Sequence, residues 1–295
     1  MGTVYVGERL TAPLFMSPKA RIHIDEAEYL VIDFETTGLS AEGGDRVCEL
    51  GAVKLRGGAV VDTFGTLINP QRPISSGAYA VNRISPQMIA NAPAFADIAE
   101  RLWDMMQGTV LVAYNAPFDL SFLTYEFRLA AYPRITHPVV DALAIARQLL
   151  PGLGKYSQDN VARVLGIPFP VKHRALEDAM VTARLFTLFA SILKAYDCSA
   201  VTDLTRRDLL RTLHERRISV VNDALSKGWN LWIKYLSPTG SEITDRIISP
   251  TECVEASHGS TSTTYLIAYC HTAKAERQFR IDRMLDIRLM NPVAV

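Results

Sequence analysis

The first strong hydrophobic signal along the chain is Tyr29-Leu-Val-Ile-Asp33, a short apolar run ending in an acid, as suits a buried central strand. Residues 1–27 before it show no clear period. They read as an irregular extension with one short strand at Arg21-Ile-His-Ile24. Two further strand-like runs, Val47 to Leu55 and Ala59 to Ile68, flank Gly57-Gly58, a residue pair able to take positive φ in a tight turn, so they predict a hairpin. Ser85-Pro86 opens a short helix and Ala94 to Met106 a longer one. Thr109 to Ala113 is again β-branched and apolar. Phe118 to Ala130 carries apolar residues at helical spacing. Val139-Val140 is a short strand, and a helical pattern runs from Asp141 to Leu150. Ser157 to Leu165 and Ala175 to Leu193 complete the helices. Antiparallel strands followed by alternating helix and strand predict a mixed α/β sheet flanked by helices.

After Tyr196 the pattern changes. Asp197 to Asp203 is small and polar and reads as a linker. Leu204 to Leu225 reads as a helix bearing Arg206, Arg207, Arg211, Arg216 and Arg217. From Leu231 the period drops to two: Leu231, Ile233 and Tyr235 alternate with Trp232 and Lys234, and Pro238-Thr-Gly240 supplies a turn. Short strands follow near Glu242–Ile248, Thr264–Cys270, Arg277–Ile281 and Asp286–Met290, which predicts a small barrel or sandwich. The expected organisation is an extension over 1–27, an α/β domain over 28–196, a linker and basic helix over 197–228, and a small all-β domain over 229–295.

Composition narrows the function classes. The 295 residues are 48% hydrophobic and 21% charged, ordinary for globular chains, so wholesale disorder, collagen and coiled coil are not expected. Lys+Arg and Asp+Glu both number 31, which argues against a polybasic membrane binder; a local basic patch would still serve a nucleic-acid enzyme. The four cysteines form no C-x-x-C pair, and no zinc spacing or disulfide framework is suggested. No run of about 18 apolar residues predicts a membrane span. No secretory signal is expected, and Val6 spoils a myristoylation motif after Met1-Gly2. The expected location is the cytoplasm.

Three acidic segments carry candidate chemistry. Asp33 and Glu35 are two apart on a strand, so they share a face at its C-terminal edge. Buried together they repel, and a divalent cation such as Mg²⁺ or Mn²⁺ would resolve that conflict; the bland alternative is a surface turn with two solvated acids. Asp119 follows the apolar run Leu111-Val-Ala-Tyr-Asn115 and opens a helix, where it would serve a site or merely cap the first turn. His173 and Asp178 are five residues apart. On one helix that spacing would separate them by about 140°. A shared site therefore needs His173 on the preceding loop and Asp178 on the second helical turn; alone, such a histidine is a solvated loop residue.

Asp33-Phe-Glu-Thr-Thr-Gly-Leu39, Asn115-Ala-Pro-Phe-Asp119 and His173-Arg-Ala-Leu-Glu-Asp178, in this order, resemble the three motifs of the DEDDh family of 3′–5′ exonucleases, to which the proofreading epsilon subunit of bacterial DNA polymerase III belongs. Glu49-Leu-Gly-Ala-Val53, Asn69-Pro70 and Asp141 add to the likeness, which spans about residues 29–195. The resemblance implies a ribonuclease H-like fold. It further implies two divalent cations, Mg²⁺ or Mn²⁺, bound by Asp33, Glu35, Asp119 and Asp178, with His173 as general base. Single-stranded DNA or RNA 3′ ends would be the substrate and nucleoside 5′-monophosphates the product. Phe34, Thr36, Thr37, Gly38 and Asn115 would border the terminal nucleotide. Two segments depart from the family pattern. Tyr114 stands where many members have His, and Asn82-Arg83 where many have His-Gly.

Residues from Trp229 to Met290 resemble a WYL domain, a small SH3/Sm-like β module, chiefly at Arg277-Gln-Phe-Arg-Ile-Asp-Arg-Met284, with Thr264-Tyr-Leu266 at the name-giving triplet. The likeness implies a nucleic-acid or nucleotide-like ligand. Arg280 and Arg283 are candidates to contact its phosphate, or Arg283 pairs with an acid inside the module. The arginine-rich helix would track a backbone or simply form a solvated face. Two other functions stand beside the exonuclease: a non-catalytic nucleic-acid sensor, and a phosphatase with Asp33 as nucleophile. The second leaves Asp119 and His173 without a role.

Overall fold

The computed structural model describes residues 22–169, 173–206, 208–240, 242–258 and 261–291. Its first sheet runs β1 (Glu28–Thr36), β2 (Val47–Arg56), β3 (Ala59–Leu67), β4 (Thr109–Ala113) and β5 (Val139–Asp141), in the spatial order β3-β2-β1-β4-β5. β1 pairs antiparallel with β2 and parallel with β4, and β5 lies parallel to β4. The helices are α1 (Ser76–Asn82), α2 (Pro86–Ile89), α3 (Phe95–Met106), α4 (Ala116–Leu129), α5 (Ala142–Leu149), α6 (Gln158–Val164) and α7 (Ala175–Ala195). Of these, α1 is an addition to the expected set: its Ser75 side chain caps Ala78 N.

The alternation of β1 explains the layering. Leu30, Ile32 and Phe34 lie in a core with Phe95 and Leu102 of α3 and Phe122 and Phe127 of α4. Tyr29 and Val31 lie in a second core with Phe186 and Phe189 of α7. Tyr29 and Phe186 meet with ring centroids 4.6 Å apart. Each large apolar side chain buried this way contributes on the order of 1.5–3 kcal/mol.

The second core does not stop at the first sheet. It continues into α8 (Leu209–Lys227) through Leu213 and Val221. From there it reaches a five-stranded antiparallel sheet of β6 (Asn230–Leu236), β7 (Ile243–His258), β8 (Thr261–Cys270), β9 (Ala275–Arg280) and β10 (Met284–Met290), in the order β10-β6-β7-β8-β9. The basic helix predicted over 204–225 is split into a 3₁₀ turn at Val201–Thr205 and α8. Arg217 of α8 is fully buried, donates to Asp282 O at 3.2 Å and lies 5.2 Å from the Tyr196 ring. Tyr196 in turn donates its hydroxyl to Met284 O at 3.1 Å. Residues 22–24 are tied to the 199–201 segment of this body. Ile24 N donates to Ser199 O and Val201 N to Ile22 O, and His23 bridges Ala200; the remainder of the expected extension, with Arg21, lies outside the described residues. Among the described residues no helix is long and apolar enough to cross a membrane, and the four cysteines are free thiols.

Candidate active site

Three backbone devices bring the acids to one place. The first is the end of β1, where Asp33 stands opposite Gly51 and Glu35 opposite Glu49 on β2. A side chain at Gly51 would collide with the Ala175 carbonyl, so the glycine lets the first turn of α7 lie directly on the sheet beside Asp33. The second is Asn115, which takes a left-handed conformation (φ 70°) between β4 and α4, with its amide bonded to Asp141 Oδ1 at 3.1 Å. That turn puts Asp119 in the first turn of α4, where its Oδ1 accepts Phe34 N at 3.1 Å. The third is His173, also left-handed (φ 61°), on the loop ahead of α7. Its amide donates to Asp178 Oδ2 at 3.1 Å, and Asp178 sits in the first helical turn rather than the second.

Ligand atoms of Glu35, His173 and Asp178 lie within 4.8 Å of one another, with His173 exposed and Asp178 buried. Asp33 is pushed well above the usual carboxylate range, first by burial and then by the charges of Asp119, Asp178 and Glu35. Burial, reinforced by Asp178 and Glu49, raises Glu35 to about 7. Burial raises Asp119 to about 8, against the opposing bond from Phe34 N. Such mutual repulsion is the condition a divalent cation relieves, and an all-carboxylate donor set with an adjacent imidazole suits a hard cation.

Several supports of this site were not assigned by sequence reasoning. Arg174 Nε and Nη2 donate to Glu49 Oε1 at 3.0 and 2.6 Å. Arg46 is bidentate on Glu126, at 2.8 and 2.7 Å, and fixes β2 to α4. Asn82 is buried, donates to Thr36 O at 3.3 Å and works against the rise of the Glu35 carboxyl. Arg83 occupies the left-handed cap of α1 (φ 58°), a conformation a glycine adopts without strain. Tyr114 donates to Tyr156 O at 2.7 Å, which turns it toward the 150–157 segment.

Residues 30–186 match the family model described as exonuclease, and residues 216–289 the WYL domain. The chain belongs to the exonuclease family. It is 39% identical over 165 residues to DNA polymerase III subunit epsilon of Treponema pallidum (strain Nichols), covering 55% of this chain and 76% of that protein. It is 36% identical over 182 residues to the PolC-type DNA polymerase III of Thermotoga maritima, spanning 61% of this chain but only 13% of that polymerase. Among solved structures, Escherichia coli exonuclease I in complex with a dT13 oligonucleotide superposes with a TM-score of 0.53 at 15% identity, covering 90% of this chain and 64% of that one, a likeness of fold. Residues 30–186 are thus an exonuclease domain of the DEDDh type, a family that uses divalent metal ions, followed by a WYL domain.

In this exonuclease the expected nucleotide-bordering residues are not equivalent. The Phe34 side chain is in the core, so only its backbone faces the site. Thr36 Oγ1 donates to Gly38 O at 2.6 Å, Thr37 Oγ1 to Asp45 Oδ1 at 3.2 Å, and a side chain at Gly38 would strike the Asp45 carboxylate, so this loop is held by its own bonds. Arg280 and Arg283, the candidates for phosphate contact, both bond within the domain. Arg280 is bidentate on Asp282, at 3.0 and 2.6 Å. A 3₁₀ turn at Ile281–Arg283 breaks the strand alternation and turns Arg283 inward. There it is 8% exposed, packed on Gly152, with Nη1 3.4 Å from Ser237 O. Among the described residues no acid is bonded to it.

Proposed function

We propose that the chain removes nucleotides from the 3′ end of single-stranded DNA or RNA by hydrolysis to nucleoside 5′-monophosphates. The observation that carries this reading is the convergence of Asp33, Glu35, Asp119 and Asp178 from three distant segments beside an exposed His173. The solved relative with a dT13 oligonucleotide supports a single-stranded substrate. The four acids would hold two divalent cations, Mg²⁺ or Mn²⁺, which when bound supply charge neutralisation at the scissile phosphate. His173 takes the proton of the attacking water as its oxygen bonds phosphorus and the P–O3′ bond breaks. Phe34 N keeps the Asp119 carboxylate aimed at the site, and the main chain of Thr36-Thr37-Gly38 with Asn115 borders the terminal nucleotide. The WYL domain binds nucleic acid or a regulatory ligand, on a surface other than Arg283. The free thiols suit a reducing cytoplasm.

The test is incubation with 5′-labelled single-stranded DNA and RNA in Mg²⁺, Mn²⁺ or EDTA, beside Asp178→Ala. The expected result is a metal-dependent ladder shortening from the 3′ end, lost in the variant. Binding without degradation in any metal would replace this reading with a non-catalytic sensor.

A further inference from the structure

Glu49 is a fifth carboxylate at the site. It stands directly opposite Glu35 across the β1–β2 pair, so both side chains leave the same face of the sheet, and it is buried. A carboxylate so placed has two possible uses. It is a further cation ligand, or it is committed elsewhere. The bonds decide between them. Oε1 takes both Nε and Nη2 of Arg174, and Oε2 takes Ala175 N at 3.3 Å, so each oxygen is occupied by a donor from the start of α7.

Those donors sit at a sensitive point. Arg174 is the N-cap residue of α7, between His173 and the turn that carries Asp178, and its carbonyl accepts Asp178 N at 3.0 Å. His173 is in the left-handed region, which a residue with a side chain adopts only when its surroundings impose it. The next two residues are held by Glu49, and the helix backbone rests on Gly51. Resting on the exonuclease reading above, we propose that Glu49 and Arg174 are a positioning pair. They anchor the start of α7 to β2, setting the His173 imidazole and the Asp178 carboxylate against Asp33 and Glu35, and they keep Glu49 out of the cation-binding set.

The full-length protein tests this with Glu49→Gln, Arg174→Met, Arg174→Lys and the double variant Glu49→Gln/Arg174→Met. The readouts are kcat, KM for a single-stranded oligonucleotide and half-saturation by Mg²⁺. Each of the first two is expected to lower kcat about 10- to 100-fold, the cost of misplacing catalytic groups by a fraction of an ångström, with KM within about threefold. Arg174→Lys restores part of the loss, and the double variant is no worse than the poorer single because both remove one interaction. A kcat within about threefold of wild type in both singles overturns the proposal. So does a rise in KM alone for Arg174→Met, which makes that arginine a phosphate contact. A Glu49→Gln shift in Mg²⁺ half-saturation as large as that of Asp178→Asn also overturns it, because Glu49 is then a ligand. Amide hydrogen exchange separates this proposal from the activity reading. In metal-free protein, Glu49→Gln must accelerate exchange over residues 173–178 while the β4 amides keep their protection. Unchanged exchange there overturns the pair even in a chain that degrades nothing.

Discussion

At the end of β1, Asp33, Glu35 and Asp119 are held above the usual carboxylate range by burial and by one another. On the second sheet, Arg280 meets Asp282 and Arg288 meets Asp286, each pair two residues apart in sequence. The two regions lie in one continuous molecule and share a core, yet they treat charge in opposite ways. In the WYL domain Asp282 and Asp286 are each neutralised by an arginine two residues away. In the exonuclease domain Gly51, Asn115 and the left-handed His173 bring acidic groups together, a crowding that a divalent cation would relieve. The outer ring of that same site is fully paired: Arg174 on Glu49 and Arg46 on Glu126. Unresolved charge thus marks where chemistry happens, and resolved charge marks what holds it in place.

The comparison breaks most directly at Asp119. Asp119→Asn keeps an oxygen to accept Phe34 N but removes one buried charge. Loss of a cation ligand removes several kcal/mol of transition-state stabilisation, about 10²- to 10⁴-fold in kcat. The same change relieves repulsion, so the metal-free variant should melt higher than metal-free wild type, by about 2–4 °C for each kcal/mol relieved in a chain of this size. Calorimetry in EDTA and a single-strand degradation assay read the two effects. An activity loss with a lowered Tm would show that Asp119 is structural and that no repulsion is stored.

A pH series sharpens the same contrast. Glu35 moves from 4.5 to about 7 and Asp119 from 3.8 to about 8 on folding. The folded state therefore binds more protons than the unfolded state between these limits, and stability falls as pH rises. The full benefit of the protonated acids is present below about pH 4 and is gone above about pH 8. In EDTA the Tm should drop from pH 5 to pH 8, with a shallower drop in Asp119→Asn. Saturating Mg²⁺ should reverse the slope, because the ion binds deprotonated carboxylates and binds only the folded chain. A flat profile in EDTA would mean that the acids are solvated.

How much of this was legible depends on whether the signal is local. Asp33, Glu35, Asp119, His173 and Asp178 stand in short strings of fixed spacing, and strand alternation and helix geometry place each one. Glu49 and Arg174 are 125 residues apart, and their pairing leaves no period in either segment. Helix α1 is a seven-residue run, Ser76–Asn82, whose one buried residue is Asn82, so it has no apolar stripe to find; only Ser75 as an N-cap gives it away. The alternation predicts only a short strand near Glu242–Ile248, and Pro250, which cannot donate to a ladder, lies just beyond it. A bulge between Pro250 and Glu252 absorbs the proline, and the strand runs on to His258. Arg283 lies just past the strand expected over Arg277–Ile281, in a three-residue 3₁₀ turn that carries no periodic signal.

The smallest effect separates paired charges by their depth. Arg46 is bonded to Glu126, whose side chain is 1% exposed, and Arg46→Ala leaves that acid buried without its charge partner, with the Val47 amide still donating to it, a loss of about 3–5 kcal/mol. Arg288 is 69% exposed, donates to Asp286 Oδ2 at 3.2 and 2.8 Å and stacks 4.8 Å from the Trp232 ring. Water screens that pair, so Arg288→Ala should cost about 0.2–1 kcal/mol and leave kcat unchanged. Urea melts of the two variants under one buffer measure the difference. Equal losses would mean that the WYL domain's pairs also hold the fold together. Their local neutrality would then have a structural role as large as that of the clamp between β2 and α4, and charge pairing alone would no longer distinguish the two regions.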